Sequence, residues 1–290
     1  MKMAVFLGCT VPVRNLSYEL SAKRVAGELG LELVDIPEFS CCGYPVKSVH
    51  HETAYLLAAR NLALAEERGL DILTLCSACT SVLTEVSREL AANEALLDAT
   101  CKSLGMLGKH YSGKVKVKHF VRVLYEDIGL EVLKKAVKRP LDMFSIASHY
   151  GCHYLKPSEI YDGFDHPEVP ESLDRLVAVT GALPVDYRTK KDCCGGAILG
   201  VDEETALSMA RAKLDDISCQ GADAINLICP FCSVMYGANQ RKIGSGRGVK
   251  YDLPILYYPQ ILGLAMGISH EELGLMQNPI RPRALLAKIS

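Results

Sequence analysis

Long hydrophobic runs and a strong excess of charge are both absent from this sequence of 290 residues. No stretch approaches the roughly 18 consecutive apolar residues of a membrane-spanning helix, so we expect no membrane span. The apolar opening 3–8 is too short for the core of a secretory signal and is typical of a buried strand. A formal net charge of −2 argues against nucleic acid as a partner.

Two cofactor motifs are missing as well. The chain has neither the G-x-G-x-x-G fingerprint of dinucleotide-binding folds nor the C-x2-C-x2-C-x3-C-P run of ferredoxins. We therefore expect no flavin or nucleotide on this chain. Because no secretory signal is evident, we expect a cytoplasmic protein, in a reducing compartment where cysteines serve metals or catalysis more often than disulfides.

Twelve cysteines stand out against these absences, and ten of them form two matching sets of five. Each set contains one cysteine that follows a glycine, then a C-C-G triplet, then a C-x-x-C pair. The first set is Cys9, Cys41, Cys42, Cys76 and Cys79, and the second set is Cys152, Cys193, Cys194, Cys229 and Cys232. A pattern that recurs in this way indicates internal duplication.

Short apolar segments alternate with Ala/Leu-rich helical segments in both halves of the chain. Strands are expected near residues 71–75 and 224–228, for example, and helices near 51–68 and 203–219. The pattern predicts two duplicated α/β domains, each a mainly parallel sheet with flanking helices, related by pseudo-twofold symmetry. Pro140 is the expected boundary, which gives domains 1–140 and 141–290.

Ligands of parallel sheets collect beyond the carboxyl ends of the strands. In both halves the cysteines follow the predicted strands directly, at Cys9, at Cys41-Cys42 and at Cys76, and again in the second set. We therefore expect five thiols to converge on one rim of each sheet.

The sequence also predicts the bounds of several elements around the cysteines. Helices are expected to begin at Cys79 and at Cys232, and the second of these is expected to run to about Arg241. A strand is expected at residues 183–187.

Three kinds of site could use five converging thiols. A structural zinc site takes four ligands and would leave one thiol idle. Disulfides fit poorly, because adjacent cysteines rarely have the required geometry and the compartment is reducing. Iron–sulfur clusters are favoured, since thiolate is their normal ligand. Ordinary clusters use four thiolates, so five indicate either one cubane with a spare thiol or a cluster of unusual shape.

The cysteine pattern resembles the tandem cysteine-rich CCG domain family. Both copies carry it, with a cysteine after glycine at Cys9 and Cys152, the doublets before Gly43 and Gly195, and a C-x-x-C pair in each half. Within that family the pattern most resembles the B-type subunit of the heterodisulfide reductases of methanogenic archaea, over residues 3 to about 267.

That resemblance implies an oxidoreductase activity. Each half would hold a noncubane 4Fe-4S cluster on its five cysteines, and each cluster would deliver one electron to the mixed disulfide of coenzyme M and coenzyme B, releasing two thiols. It also implies two partners in the same complex, one ferredoxin-like subunit and one flavin-containing subunit. The alternatives are a CCG electron-transfer subunit of a succinate, glycolate or lactate dehydrogenase-like complex, and a module that only docks and relays electrons.

Both coenzymes are anionic, so cationic side chains beside the cysteines are the candidate substrate contacts. The four candidates are His153, Lys156, Arg14 and Lys47, and of these His153 is favoured because it directly follows Cys152. His50, His51 and Arg188 form a wider set near the cysteines. His149 is instead predicted to be a core or strand-end histidine.

Overall fold

Two four-stranded parallel sheets form the centre of the computed structural model, which describes residues 1–245 and 248–289. The strands of the first sheet are β1 (Lys2–Phe6), β2 (Glu32–Asp35), β3 (Ile72–Thr74) and β4 (Val117–His119); those of the second are β5 (Ser145–Ser148), β6 (Leu183–Pro184), β7 (Ala224–Leu227) and β8 (Ile255–Tyr257). Their orders, β2-β1-β3-β4 and β6-β5-β7-β8, correspond strand for strand. The predicted fold class is therefore confirmed. The boundary at residue 140 stays a prediction, and residue 290 lies outside the described residues.

Helices flank both sheets. They are α1 (Val11–Arg14), α2 (Leu16–Glu28), α3 (His51–Glu66), α4 (Ser77–Ala92), α5 (Glu94–Gly105), α6 (Phe120–Arg122), α7 (Leu130–Ala136), α8 (Ser172–Val179), α9 (Glu203–Cys219), α10 (Pro230–Ser233), α11 (Gln240–Ser245), α12 (Tyr258–Ala265) and α13 (Arg283–Ile289). Among residues 1–245 and 248–289, none of the helices has both the length and the apolar character needed to cross a bilayer.

Several element boundaries differ from the predicted ones. The expected strand 183–187 is reduced to Leu183–Pro184, because the Ser148 carbonyl, which follows the Ile146 carbonyl along β5, accepts from the hydroxyl of Tyr187 rather than from a strand N–H. The helices of the C-x-x-C segments begin at Ser77 and Pro230 rather than at the second cysteine. A π-helical turn, Val234–Ala238, separates α10 from α11, so no single helix runs to Arg241.

Continuous apolar character explains the central strands. Ala4, Val5 and Phe6 of β1 are almost completely buried, and so is every residue of β3 and β7. A parallel sheet covered by helices on both faces requires this, since neither face meets water.

The C-C-G triplet forms a tight turn packed against the backbone of the helix that follows it. Gly43 has φ +93° and Gly195 has φ +78°, a conformation that favours glycine. A Cβ atom on Gly195 would lie 2.7 Å from the Ala206 carbonyl oxygen of α9, and one on Gly43 would overlap the Ala54 carbonyl of α3. Both copies of the triplet therefore require glycine for two independent reasons.

Each half sends the segment after its first cysteine across to the other half. Tyr18 of α2 stacks on Tyr257 with ring centroids 4.0 Å apart. In the opposite direction, the guanidinium of Arg122 lies over the rings of Phe164 and Tyr161, at 4.3 and 5.4 Å from their centroids. The exchange is reciprocal, as an approximate twofold relation between the halves requires.

Replacing Gly43 by alanine should destabilise the protein more than the same change at Gly30. Both residues have positive φ, which costs an alanine roughly 1–2 kcal/mol. Only Gly43 is also in contact with a helix backbone, which adds roughly 1–3 kcal/mol of overpacking, whereas a Cβ on Gly30 meets nothing within 4 Å. Denaturant unfolding followed by circular dichroism measures both variants, and equal midpoints would contradict the packing argument.

Candidate metal centre and substrate cavity

The two cysteine sets lie beyond the carboxyl ends of the strands, as expected from the sequence. Cys76 and Cys229 follow β3 and β7, and each has extended backbone and caps the helix of its C-x-x-C segment. The loops after β1 and β5 carry Cys9 and Cys152. One rim of each sheet therefore carries a set of five thiols.

The ten thiols form one continuous line of contacts. All are free. In the first half the order of contact is Cys9, Cys41, Cys42, Cys79 and Cys76, and in the second it is Cys152, Cys193, Cys194, Cys232 and Cys229. The Sγ atoms of Cys194 and Cys232 are 3.5 Å apart. The two sets meet where Cys76 Sγ lies 3.9 Å from Cys229 Sγ.

Backbone amides of the C-C-G turns donate to the sulfur atoms. The N–H of Gly43 donates to Cys41 Sγ, that of Gly195 to Cys193 Sγ and that of Gly196 to Cys194 Sγ, each with nitrogen and sulfur 3.4 Å apart. Such donors stabilise negative charge on sulfur and tune the potential of a bound cluster. The glycines therefore serve the thiols as well as the turn.

Hydrogen bonding among the thiols divides them into proton donors and acceptors. The bond from Cys41 lowers the pKa of Cys42, the bond from Cys152 lowers the pKa of Cys193, and the bond from Cys232 lowers the pKa of Cys229. The thiolate is the form of cysteine that binds metals. Each half therefore contains at least one sulfur that favours the metal-binding form.

The thiol set fits an iron–sulfur cluster in each half. Within residues 1–245 and 248–289, no three Cys, His, Asp or Glu side chains are grouped to hold a single ion as they stand. The sulfur atoms instead contact one another in two lines of five, with amide donors beside them. A four-ligand zinc site would use only part of such a line, whereas thiolate sulfur with amide donors is the usual surrounding of iron–sulfur clusters.

A cavity of about 300 Å³ lies between the two halves, and nine of the ten repeat cysteines line it. The exception is Cys41, which contacts Cys9 and Cys42. Apolar groups such as Ile228 and Phe231 form much of the remaining wall. This volume is at the lower end of the range for small-molecule sites.

Two histidines of the second half also line the cavity. The Nε2 atom of His153 lies 3.0 Å from the hydroxyl of Tyr44, so this pair links the two halves. His149 is buried at the end of β5, and neither ring nitrogen has a hydrogen-bond partner in the described part of the chain. Burial lowers the pKa of both histidines, which favours neutral rings. His149 is the strand-end histidine that was predicted, but its place in the cavity wall was not foreseen.

The other candidate substrate residues lie outside the cavity wall. Lys47 forms an ion pair with Glu85 at 2.6 Å, and Lys156 forms one with Glu168 at 2.9 Å. Arg14 is exposed at the end of α1. In the wider set, His50 caps α3 by accepting from the Thr53 N–H, while His51 and Arg188 are exposed.

Tyr44 is a cavity residue that sequence reasoning missed. It directly follows the first C-C-G triplet, where the second half has Gly196, and both residues line the cavity. Aligning the two copies residue by residue would have revealed this difference.

His119 joins the first half to the second cysteine set. Its Nε2 atom donates to the carbonyl of Ile228, at 2.9 Å, and its Nδ1 atom accepts from the N–H of Val121. Tyr18 donates to the same carbonyl at 3.1 Å. Because His119 is fully buried, desolvation lowers its pKa to about 4, so the ring is neutral. The residue directly before Cys229 is thus held by two side chains of the other half.

Comparison with known proteins identifies relatives along nearly the whole chain. The model of a family described as "Cysteine-rich domain" (CCG) matches residues 3–84 and 146–236. The chain is 38% identical to the B-type subunit of the ferredoxin/F420H2-dependent CoB-CoM heterodisulfide reductase of Methanosarcina acetivorans, covering 99% of this chain and 97% of that one. It is 34% identical to a protein of Archaeoglobus profundus described as like the B-type subunit of heterodisulfide reductase, over 94% and 93% of the two chains.

Two further proteins are similar to this chain, one in sequence and one in fold alone. The 8-methylmenaquinol:fumarate reductase membrane anchor subunit of Wolinella succinogenes is 32% identical, over 96% of this chain and 97% of that one. A crystal structure of a hypothetical protein from Helicobacter pylori superposes with a TM-score of 0.78 at 18% identity. That alignment covers 97% of this chain but only 52% of the solved chain, and at such low identity it supports the fold alone.

The buried His119 predicts a loss of stability on acidification. Its pKa is lower in the folded protein than the ordinary value near 6.5, so the unfolded chain binds the proton more tightly and stability falls as the pH drops below about 6.5. Between pH 6.5 and pH 5 this group should cost roughly 2 kcal/mol. A His119→Gln variant keeps a donor for Ile228 and should lose less stability over that interval.

Denaturant midpoints of both proteins at the two pH values measure the effect. His149 and His153 titrate in both proteins, so the difference between them isolates His119. Equal pH dependence in the two proteins would show that His119 is not the group responsible.

Proposed function

Because the chain belongs to the cysteine-rich (CCG) domain family, we propose that it is the iron–sulfur subunit of a cytoplasmic oxidoreductase. The observation that carries this proposal is the line of ten thiols around one cavity. Each set of five cysteines would hold one 4Fe-4S cluster, and the fifth thiol supports a noncubane form, since a cubane needs only four. When bound, such clusters supply electrons one at a time.

The substrate that we propose is the mixed disulfide of coenzyme M and coenzyme B. Relatives with 38% and 37% identity over 99% of this chain are, by name, B-type subunits of CoB-CoM heterodisulfide reductases. Cleavage of the S–S bond takes two electrons and two protons and gives two thiols. Two cysteine sets that meet at Cys76 and Cys229 offer two one-electron sites around one cavity, which matches that requirement.

Residues of this chain would bind and orient the disulfide. His149 and His153 are neutral and line the cavity, and each can present a ring N–H to a sulfur atom or to an anionic group. We propose His153 as a direct contact. Arg14, Lys47 and Lys156 lie farther out, so we propose that they only attract the anionic substrate, with Lys47 and Lys156 partly neutralised by their ion pairs.

Electrons would come from other proteins of a complex. Iron–sulfur clusters do not generate electrons, and neither a flavin nor a dinucleotide motif occurs in the sequence. The partners that we propose are one ferredoxin-like subunit and one flavin-containing subunit, in keeping with relatives whose names describe them as parts of larger enzymes.

A second candidate function rests on one specific relative. The fumarate reductase subunit of Wolinella succinogenes is 32% identical with almost complete coverage of both chains, so the same fold and length occur in a quinol-linked complex. In that role the cysteine sets would relay electrons and no disulfide would be reduced. The assay described next separates the two functions.

Anaerobic purification should give about 8 iron atoms and as much acid-labile sulfide per chain, as expected for two four-iron clusters. The purified protein should then oxidise reduced viologen when the coenzyme M–coenzyme B disulfide is added. Iron without disulfide-dependent oxidation would favour the electron-relay function. Stoichiometric zinc with little iron would refute the cluster assignment.

Serine replacements in one cysteine set should abolish turnover, because the two-electron reaction needs both sets. The Cys193→Ser, Cys194→Ser double variant should lose about half of the iron and nearly all heterodisulfide reduction, since only one four-thiolate or five-thiolate site remains intact. Cys219→Ser is the matched control, since Cys219 is exposed and lies outside the repeat. Full turnover with one set removed would contradict the two-site mechanism.

His153→Leu should weaken substrate binding while leaving the iron content unchanged. A lost hydrogen bond to a charged group costs roughly 1.5–3 kcal/mol, which is about a 10- to 100-fold rise in KM. His270→Leu is the control and should have a wild-type KM, since His270 is a half-exposed histidine outside the cavity wall whose Nε2 atom lies 3.0 Å from a carboxylate oxygen of Glu271. An unchanged KM in His153→Leu would show that His153 does not touch the substrate.

A further inference from the structure

A lysine is completely buried behind the second C-C-G turn. Lys213 of α9 is 1% exposed, and its Nζ atom donates to the carbonyl oxygens of Thr189 and Lys190, the latter at 3.0 Å. These carbonyls belong to the loop that leads into Cys193. Both acceptors are uncharged, so these two bonds fix the loop without neutralising the ammonium group.

The first half has a neutral side chain at the matching position. Gly43 packs on Ala54 and Gly195 packs on Ala206, which aligns α3 with α9. Asn61 and Lys213 each lie seven residues beyond that alanine, so they are equivalent. Asn61 is also fully buried and holds its own loop, donating to the Cys41 carbonyl at 3.1 Å and accepting from the Ser40 N–H at 2.9 Å. Asn61 and Lys213 therefore both anchor the loop that leads into a cysteine doublet, but only Lys213 has a side chain that can carry charge.

Lys213 lies behind the second cysteine set, because the loop that its Nζ atom holds leads from Thr189 and Lys190 to Cys193, three residues further on. Burial lowers the pKa of Lys213, whereas the two carbonyl acceptors stabilise its ammonium form. A buried charge is screened by salt much less than an exposed one, so its effect on nearby sulfur persists at physiological ionic strength.

Other charges near the two turns also differ between the halves. Asp216 of α9 accepts from the Thr189 N–H at 2.8 Å and from its hydroxyl at 2.9 Å, where the first half has Leu64. Asp216 is half-buried, however, whereas Lys213 is fully buried. Arg60 of α3 donates to Ser40 Oγ at 3.4 Å, but it is half-exposed and also bonds to the Glu38 carbonyl. Its equivalent in α9 is Ala212. Asp192 is a carboxylate beside the second turn where the first has Ser40, and it is exposed. Solvent screens Arg60 and Asp192, whereas Lys213 is shielded from solvent.

We propose that Lys213 makes the two cysteine sets electrostatically unequal, so that a cluster on the second set accepts an electron more readily than one on the first. The inference rests on the proposed function, since it requires clusters on both sets. One-electron reduction adds one negative charge, and net charge around the sulfurs is one of the factors that determine cluster potentials. Lys213 acts on the cysteines without touching the substrate, so it is a positioning residue.

Unequal potentials would order the electron transfers. The first electron delivered to the protein would reside on the second half, beside His149 and His153, and the second electron would occupy the first half. Because the two sets meet at Cys76 and Cys229, an electron can move between them over a short distance. The duplicated chain would thus hold two sites of similar structure that accept electrons in a defined order, the second set before the first.

Lys213→Gln tests the proposal, because glutamine can still donate to the loop but carries no charge. The wild-type and variant holoproteins are titrated anaerobically with dithionite and redox mediators, and the two midpoint potentials are followed by electron paramagnetic resonance. The higher potential should fall by at least the 59 mV that corresponds to about tenfold for a one-electron couple, while the lower potential stays constant. Lys213→Arg keeps the charge and should have the wild-type potentials. Arg60→Gln should shift the lower potential by less than 59 mV, the equivalent of tenfold.

The outcomes are distinguishable. Wild-type protein without iron would overturn the proposed function, and this inference with it. Two clusters whose potentials both stay constant in Lys213→Gln, or shift equally, would overturn the inference alone. If Lys213→Gln does not assemble its second cluster, the reciprocal Asn61→Lys variant decides, since it places the cation in the first half and should raise the lower potential. No rise there would also overturn the inference.

Discussion

The contact between the two halves at Cys76 and Cys229 is the interaction on which the rest of the site depends. It joins two separate lines of five thiols into one line of ten and closes the cavity between them. The surrounding packing is polar as well as apolar, because Tyr18 and His119 of the first half both donate to the Ile228 carbonyl. A buried carbonyl in an interface must find partners, and here those partners also fix the position of the following cysteine.

Duplication explains the similarity of the two sites, and the places where the copies differ indicate how their roles diverge. Phe6 and Thr10 of the first half correspond to His149 and His153 of the second, and Asn61 corresponds to Lys213. These three replacements place two histidines and a buried lysine around the second cysteine set, whereas Tyr44 and Arg60 of the first half correspond to Gly196 and Ala212 of the second. The scaffold of turns and helices is shared, so these substitutions act on charge and hydrogen bonding rather than on the fold.

The family relationship and the geometry constrain function at different levels. Membership of the cysteine-rich domain family and the thiol lines both favour iron–sulfur chemistry. The choice between a disulfide and a quinol-linked partner rests on relatives of similar identity, at 38% and 32%. The cavity between the halves does not decide between them, because the nine cysteines that line it are the proposed cluster ligands and either function would use clusters there.

The sequence by itself determined the duplication, the parallel α/β class and the ten cysteines, because each depends on local periodicity or on residue spacing along the chain. It also indicated that the thiols would lie beyond the strands, which follows from parallel topology. Only the tertiary structure decided that the two sets meet, that His149 and Tyr44 face the cavity, and that Lys213 lies buried behind a cysteine turn. These facts depend on how distant segments pack against each other, and no pattern within a single segment encodes that packing. The same reason explains why the predicted strand at 183–187 was too long and why Lys47 and Lys156 form surface ion pairs outside the cavity wall.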